Sequence, residues 1–145
     1  NEAIIEFIKT GKPFIGICLG FQMLFSYSEE YGICEGLNII PGSVKDFSGF
    51  IDEPVPHVGW NKVMQEKDDI INISNNYFYF VHSFIAMPNE KSKIFTITEY
   101  GKYNFCSSIN HENIFGCQFH PEKSGQKGLD LLKKILLNKE KNNVI

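Results

Sequence analysis

A cysteine flanked by two glycines is the first feature of this chain that could carry chemistry. Cys18 stands in the segment KPFIGICLGFQMLF, with Gly16 two residues before it and Gly20 two residues after it. The pattern predicts a strand before the cysteine and a helix after it, and therefore a sharp turn at Cys18. In the G-x-S-x-G elbow such a turn projects a nucleophile into a cleft. We therefore interpret Cys18 as a nucleophile, with the backbone N–H of Leu19 placed to donate to an oxyanion.

The position of Cys18 also bears on its acidity. The amino end of the predicted helix favours thiolate over thiol and can lower the pKa of the cysteine. The alternative is an inert buried residue, which is the usual state of an isolated cysteine in an apolar strand. The glycine pair favours the nucleophile but does not settle the question.

A second group of reactive residues lies in the segment GCQFHPEKS, at residues 116–124. Residues two apart in an extended chain project to the same side, and Pro121 pushes His120 towards extended geometry. Glu122 is therefore expected to reach back to His120, hold its tautomer and stabilise the imidazolium. Alone, the pair could be a surface histidine beside a solvated glutamate. Together with Cys18 it is better interpreted as a Cys-His-Glu triad.

Composition limits the possible functions. The chain has 145 residues, of which 43% are hydrophobic, and this predicts one globular domain over residues 1–145. A net charge of -3 and 14 basic residues without an obvious stripe argue against nucleic acid as a partner. With no run of about 18 apolar residues and no signal peptide, we expect a soluble cytoplasmic protein without a membrane partner. The four cysteines form no C-x-x-C pair, which predicts free thiols and no structural metal.

Alternating short elements predict an α/β fold. Helices are expected at 2–9, 21–30 and 128–137, and a fraying tail at 138–145. Strands are expected at 13–17, 39–47 (broken at 41–42), 58–64, 77–81, 93–98, 105–109 and 114–119. Turns are expected at 75–76 and at 99–102, the latter closing a hairpin. The apolar stripe of the last helix, which should cover the sheet, consists of Leu129, Leu132, Ile135 and Leu136.

These motifs together resemble a known family. G-x-C-x-G-x-Q at 16–22, with F-H-P-E at 119–122, resembles the signature of the class I (triad) glutamine amidotransferases. More narrowly, three segments resemble the glutaminase subunit of imidazole glycerol phosphate synthase: G-L-x-x-I-P-G at 36–42, P-H-V-G-W-N at 56–61 and Y-F-V-H-S-F at 79–84. The resemblance spans nearly the whole chain.

The resemblance implies a fold as well as a function. That fold is flavodoxin-like, with a central mixed, mainly parallel sheet flanked by helices. It begins with strands and a helix that have no match before Glu2, and a glycine-rich loop there supplies a second oxyanion donor. We therefore expect this chain to be the carboxy-terminal part of the subunit, a partial domain without those strands and that loop.

The resemblance also implies a reaction and its substrate contacts. Cys18 would attack the side-chain carboxamide of glutamine, and His120, held by Glu122, would protonate the departing ammonia. Water activated by His120 would then release glutamate from the thioester. No cofactor or metal is implied.

Four further residues would bind the substrate. Gln22 and Glu30 would contact its polar groups, and the alternative for both residues is a solvated helix face. The backbone of Ser83 and Phe84 would bind its amino acid end.

The partner implied by the resemblance is a (β/α)₈ barrel cyclase, which forms a heterodimer with the glutaminase. It uses the ammonia to make imidazole glycerol phosphate and an aminoimidazole carboxamide ribotide in histidine biosynthesis. Trp60, Tyr79 and Lys123 would lie at the partner face. Tryptophan and tyrosine are favoured interface anchors, but a lone tryptophan is at least as often a core residue.

Three alternatives stay open from the sequence. The same glutaminase could feed a synthase that puts amidino groups on surface sugars. The chain could be a catalytically silent module, truncated at its amino end, that only docks on a partner. It could also be a Cys-dependent hydrolase of another α/β family that acts alone on an ester or lactone.

Overall fold

A computed structural model describes the backbone of residues 1–141 and the side chains of residues 1–138. Its α-helices are α1 (Glu2–Lys9), α2 (Leu19–Gln22) and α3 (Gly125–Lys141), and short 3₁₀ turns occur at Phe47–Gly49, Lys91–Lys93 and Pro121–Lys123. Its strands are β1 (Phe14–Ile17), β2 (Phe25–Ser28), β3 (Cys34–Glu35), β4 (Ile40–Asp46), β5 (His57–Lys62), β6 (Met64–Gln65), β7 (Tyr77–His82), β8 (Phe84–Pro88), β9 (Ile94–Tyr100), β10 (Tyr103–His111) and β11 (Ile114–Cys117). Over this part of the chain, none of the helices has the length and apolar character needed to span a bilayer.

The main sheet has the order β1-β11-β10-β8-β4-β2-β3, with β9 paired to both β10 and β6. β5 and β7 form a separate antiparallel ribbon. The sheet is mixed, as predicted, but the expectation of mainly parallel pairing is not met. Only β1–β11 and β2–β4 are parallel among the described strands. Hairpins explain the difference: Gly101 and Lys102 both have positive φ, so the chain reverses tightly between β9 and β10.

Aromatic and branched apolar side chains fill both sides of this sheet. One cluster is built around Phe80, Phe105 and Phe119, and α3 contributes Leu131 and Ile135 to it. The second cluster includes Ile8 from α1 and lies among residues of α2, β2 and β4. Burial of one such side chain contributes about 1.5–3 kcal/mol, so these clusters hold the strand ends in fixed positions.

The predicted helix at 21–30 is wrong. α2 ends at Gln22, and the chain then enters β2. Phe25 is fully buried opposite Ile40 of β4, and Tyr27 pairs with Glu35 of β3. Pairing on both sides outweighs the local helical pattern, because a strand with two neighbours satisfies its backbone polar groups while it buries Phe25.

The last helix is present, but its buried face differs from the predicted stripe. Leu131 and Ile135 are buried, whereas Leu129 and Leu136 are 54% and 44% exposed. The helix approaches the preceding turn closely at Gly128, where an added Cβ would lie 1.8 Å from the carbonyl oxygen of Pro121. That contact fixes the rotation of the helix about its axis. Residues 138–141 of the predicted fraying tail are helical, and residues 142–145 lie outside the described residues.

Candidate active site

The predicted strand-to-helix turn is present at Cys18, which follows β1 and caps α2. Its φ of 50° is unusual for a residue with a side chain, and its N–H donates to the Cys117 carbonyl oxygen at 2.8 Å. A Cβ on Gly16 would lie 2.7 Å from the Gly20 carbonyl oxygen, so only glycine fits there. At Gly20 an added Cβ meets no described heavy atom within 4 Å. The expected crowding therefore applies to the first glycine and not to the second.

The thiol of Cys18 is half-buried among hydrogen-bonding groups. The Gln118 Nε2 donates to Sγ at 3.6 Å, and Sγ lies 3.8 Å from the Val81 carbonyl oxygen. Burial raises the pKa of Cys18 above its ordinary value, while the Leu19 amide and Gln118 oppose that rise and the Glu122 charge adds to it. The expectation of a lowered pKa is therefore wrong, because desolvation outweighs the amino end of a four-residue helix. At neutral pH the resting thiol is protonated and needs a base.

His120 and Glu122 are in direct contact. The His120 Nδ1 lies 2.6 Å from Glu122 Oε1, although Glu122 stands in the 3₁₀ turn Pro121–Lys123 and not in extended chain. The predicted contact is thus present, and a tight turn brings the carboxylate back to the ring. Ser124 braces this turn, since its hydroxyl donates to the His120 carbonyl oxygen at 2.6 Å and accepts from the Tyr79 N–H at 2.9 Å.

The other ring nitrogen of His120 is a buried acceptor. A carboxylate only accepts hydrogen bonds, so Nδ1 carries the proton and Nε2 of the neutral ring holds a lone pair. This Nε2 is buried and has no hydrogen-bond partner among residues 1–138. A buried polar atom without a partner is costly, and at a reactive site it is typical of a group that awaits a substrate.

The sheet brings the cysteine and the histidine to one edge. β1 and β11 are parallel, with Ile17 opposite Cys117, so the two strands end at the same side of the sheet. Cys18 follows the first strand, and His120 follows the second by three residues. The charges of Glu122 and Lys123, in the turn that follows His120, both affect the pKa of the Cys18 thiol. We call residues 120–123 the histidine turn.

A cleft of about 580 Å³ opens beside the thiol. Its volume is within the range typical of small-molecule sites. It is lined by Cys18 and by the residues predicted to bind substrate, namely Leu19, Gln22, Glu30, Ser83 and Phe84.

Gln22 is held within the wall of this cleft. Its Nε2 donates to the Phe84 carbonyl oxygen at 3.1 Å and to Gln118 Oε1 at 2.9 Å. The alternative of a solvated helix face therefore does not apply to Gln22. It does not apply to Glu30 either, because α2 ends before that residue and the half-buried Glu30 lines the cleft.

Sequence reasoning missed two features of the site. Gln118 is fully buried and links Gln22 to the thiol. Its signal was a glutamine within an apolar strand, two residues before His120. His57 and His82 form a buried pair, with 2.9 Å between their nearest ring nitrogens, and His82 is itself one of the residues that line the cleft. The contact between them could not be predicted from the sequence, because it depends on the register in which β5 pairs with β7.

The residues predicted at a partner face lie on the β5–β7 ribbon and on the histidine turn. Trp60 is 56% exposed and contacts Tyr79 edge-on, with ring centroids 6.2 Å apart. Tyr79 also bridges to His120, three residues before the exposed Lys123. Trp60 is thus a surface residue, and the core alternative for this tryptophan is wrong.

All four cysteines are free, and no group of three or more metal-ligating side chains occurs in the part of the chain that the structure describes. Cys106 and Cys117 are buried, and burial raises the pKa of Cys106 to about 12. The thiol of Cys34 is exposed.

Comparison with known proteins agrees with this geometry. The family model for glutamine amidotransferase class-I matches residues 1–139. The imidazole glycerol phosphate synthase subunit HisH of Pyrococcus furiosus is 48% identical over 138 residues, which cover 93% of this chain and 70% of that protein. The chain belongs to the class-I glutamine amidotransferase family, within its HisH group. The family predicted from the motifs is therefore confirmed.

Two further proteins extend the comparison of this amidotransferase. The chloroplastic imidazole glycerol phosphate synthase hisHF of Arabidopsis thaliana is 45% identical over 139 residues, which cover 93% of this chain and 23% of that protein. A solved glutamine amidotransferase from Thermotoga maritima shares the fold, with a TM-score of 0.61 and 20% identity over 99% of this chain and 55% of that one. The predicted amidotransferase fold is confirmed. The chain thus spans about a quarter of the Arabidopsis protein and about two thirds of the stand-alone HisH relative.

Proposed function

We propose that this amidotransferase hydrolyses glutamine to glutamate and ammonia, using Cys18 as nucleophile, His120 as acid and base, and Glu122 as the residue that orients the ring. One observation carries the proposal: the buried Nε2 of His120 has no partner among the described residues, while its Nδ1 is held by Glu122 at the edge of the sheet where Cys18 also lies. We further propose that residues 1–145 belong to a single domain.

The first half of the reaction transfers the acyl group to sulfur. His120 Nε2 accepts the proton from the neutral thiol, and the sulfur attacks the side-chain carboxamide carbon of glutamine. The carbonyl oxygen becomes an oxyanion, which the Leu19 N–H stabilises. The tetrahedral intermediate then breaks its carbon–nitrogen bond. The proton on Nε2 passes to the leaving nitrogen, so ammonia departs and a γ-glutamyl thioester remains.

The second half consumes water. His120 Nε2, again neutral, accepts one proton from water as the hydroxyl oxygen attacks the thioester carbonyl. The carbon–sulfur bond breaks, the proton returns to sulfur, and glutamate leaves. Glu122 accepts the Nδ1–H throughout and stabilises the imidazolium formed in each half.

The cleft offers groups that suit an amino acid. Glu30 is the only carboxylate among the residues that line it, so we assign Glu30 to the substrate ammonium group. Both N–H groups of Gln22 donate within the wall, so we assign its carbonyl oxygen to the polar groups of the substrate. The backbone of Ser83 and Phe84 binds the amino acid end.

Ammonia released into water would be protonated and lost as a nucleophile, so a glutaminase needs a partner that accepts it directly. We propose a (β/α)₈ barrel cyclase as that partner, in a heterodimer located in the cytoplasm. The product pair is imidazole glycerol phosphate and an aminoimidazole carboxamide ribotide, in histidine biosynthesis. Identity of 48% to a HisH subunit supports this acceptor over a surface-sugar amidino synthase.

We assign the docking face to the ribbon and the adjoining histidine turn, through Trp60, Tyr79 and Lys123. Trp60→Ala should weaken cyclase binding roughly 30-fold, because a buried interface tryptophan contributes about 2 kcal/mol or more. Isothermal titration of the two proteins measures this effect. The matched control is Ile70→Ala, which also removes an exposed apolar side chain but lies outside the ribbon. Equal binding of the two variants would remove Trp60 from the interface.

The test of the reaction is glutamate release from glutamine by the full-length protein. It is measured alone, and with a candidate cyclase loaded with its nucleotide substrate. We expect strong stimulation by the loaded cyclase. Cys18→Ala should abolish release while cyclase binding stays nearly intact, and Cys34→Ala, which removes an exposed thiol, should release glutamate normally.

Each other outcome contradicts a defined part of the proposal. Residual release by Cys18→Ala would contradict the assignment of the nucleophile. Release without stimulation by the loaded cyclase would point to another acceptor. No release from folded protein under any condition would favour the docking module.

A further inference from the structure

A largely buried chain of hydrogen bonds runs along the cleft wall, and His82 is both a member of this chain and a lining residue of the cleft. His57, at the start of β5, stands opposite His82, at the end of β7. The His57 Nδ1 lies 2.9 Å from His82 Nε2, and the His82 Nδ1 lies 2.9 Å from the Phe84 carbonyl oxygen. At the other end, the Asn61 Nδ2 lies 3.3 Å from His57 Nε2. We call His57 and His82 the histidine pair.

The partners fix the tautomer of each ring. The Phe84 carbonyl can only accept, so the His82 Nδ1 carries a proton and donates it. In the neutral ring the His82 Nε2 then accepts, and the His57 Nδ1 must be the donor. The His57 Nε2 is left as an acceptor for the Asn61 amide. Every bond in the chain therefore points in one direction, from Asn61 towards Phe84.

The surroundings of the pair are apolar and keep both rings neutral. Tyr100 stacks on His57 at 4.1 Å between centroids, and Phe47 stacks on His82 at 5.7 Å. Burial lowers the pKa of His57 to about 4 and that of His82 to about 3. The charges of His57 and His120 add to the lowering of the His82 pKa, whereas the hydrogen bond to the Phe84 carbonyl opposes it.

The chain continues from Phe84 to the nucleophile. The Phe84 carbonyl oxygen accepts from His82 and also from the Gln22 amide. That amide donates in turn to Gln118, whose Nε2 donates to the Cys18 sulfur. The Phe84 carbonyl oxygen thus connects the histidine pair to Gln22, and Gln118 connects Gln22 to the Cys18 thiol.

We propose that the histidine pair positions the cleft for glutamine, because it fixes the Phe84 carbonyl and, through Gln22 and Gln118, the direction of the Cys18 thiol. His82 is a positioning residue, since it acts through the carbonyl and not on the reacting atoms. This inference rests on the proposed function for its substrate. Its structural part, the fixed thiol, holds for this chain whatever the acceptor.

The first test determines the tautomers of His57 and His82 in the full-length protein and does not require glutamine hydrolysis. Long-range ¹⁵N–¹H correlation spectra of histidine-labelled protein at pH 6 should show His82 neutral and protonated on Nδ1. His57 should also be neutral, with its proton on Nδ1. Assignment comes from the loss of signals in the variants below. A charged ring, or a proton on His82 Nε2, would overturn the inference.

The second test removes the donor to Phe84 and then restores it. His82→Phe keeps a ring of similar size but has no hydrogen bond to give. His82→Asn keeps an N–H at the place of Nδ1. Loss of one buried hydrogen bond should raise the KM for glutamine about 10-fold in His82→Phe, with a smaller fall in kcat. His82→Asn should recover most of that loss, and unfolding curves identify the folded fraction of each variant.

A third measurement separates this inference from the proposed function. In a Cys34→Ala background, the rate of Cys18 alkylation by iodoacetamide should change several-fold in His82→Phe and return towards the starting value in His82→Asn. This readout needs no glutamine turnover, so it tests the pair even if the protein releases no glutamate. A folded His82→Phe protein that keeps both the KM and the Cys18 alkylation rate of the parent would show that the pair only stabilises the fold, and the inference would fail.

Discussion

The histidine pair makes the free energy of unfolding of this protein depend on pH. Both rings have an ordinary pKa of 6.5 in the unfolded chain, but burial lowers the pKa of His57 to about 4 and that of His82 to about 3 in the folded protein. A lowered pKa means that the unfolded chain binds protons first as the pH falls. The contribution of each histidine is therefore complete above pH 6.5 and is lost progressively between pH 6.5 and pH 3 to 4.

The magnitude follows from the linkage relation. At pH 5 the folded protein keeps both rings neutral, whereas the unfolded chain is almost fully protonated at both. Between pH 7 and pH 5 each histidine then removes about 2 kcal/mol from the free energy of unfolding, and the pair removes about 3 to 4 kcal/mol. This is a large share of the roughly 5–15 kcal/mol that stabilises a typical domain.

Urea unfolding at pH 7, 6 and 5 measures this loss, with far-UV circular dichroism as the probe because the single tryptophan, Trp60, is half exposed. Carboxylates also titrate near pH 5, so the relevant quantity is the difference between proteins. Between pH 7 and pH 5, the free energy of unfolding of the double variant His57→Phe/His82→Phe should fall by about 3 to 4 kcal/mol less than that of the parent. His111→Gln, outside the pair, should keep the loss seen in the parent. Identical losses in the parent and the double variant would refute the reasoning.

Two further predictions concern the catalytic groups. Glu122→Gln should lower kcat/KM for glutamine about 10- to 50-fold, because it removes the charge-assisted hydrogen bond that the partly exposed carboxylate makes with His120. The control Glu66→Gln, at an exposed glutamate after β6, should leave kcat/KM unchanged. A Glu122→Gln enzyme with the kcat/KM of the parent would contradict the triad. At pH 7 iodoacetamide should modify the exposed Cys34 before Cys18, because burial raises the pKa of Cys18 and leaves little thiolate; faster labelling of Cys18 by peptide mass spectrometry would contradict the raised pKa.

The geometry around the proposed catalytic residues could be predicted because its signals are local. Gly16 two residues before Cys18 is required by the close approach of the Gly20 carbonyl, and the H-P-E spacing brings Glu122 to His120 whether the backbone is extended or turned. The acidity of Cys18 could not be predicted in this way. Its pKa depends on how much protein surrounds the sulfur, which is a property of the packed structure and not of the turn.

Elements that depend on distant partners were the ones mispredicted. Residues 25–28 form a strand because β3 and β4 lie on either side of them, and nothing within the segment itself requires this. The rotation of α3 likewise depends on the contact between Gly128 and the turn at Pro121. The histidine pair is the clearest case: His57 and His82 are 25 positions apart and meet only through the register of the ribbon.

The raised pKa of Cys18 and the position of Glu122 are two aspects of one electrostatic arrangement. Glu122 opposes an isolated thiolate at Cys18, yet it also holds the ring of His120 through the Nδ1–H. A thiolate alone would therefore add a second negative charge to a partly buried site. Proton transfer from Cys18 to His120 instead creates an imidazolium beside the thiolate, and the net charge of the triad stays at that of one carboxylate. The site thus disfavours an isolated thiolate in the resting protein. In the proposed reaction the thiolate forms only as His120 takes the proton, and it then attacks the carboxamide of glutamine.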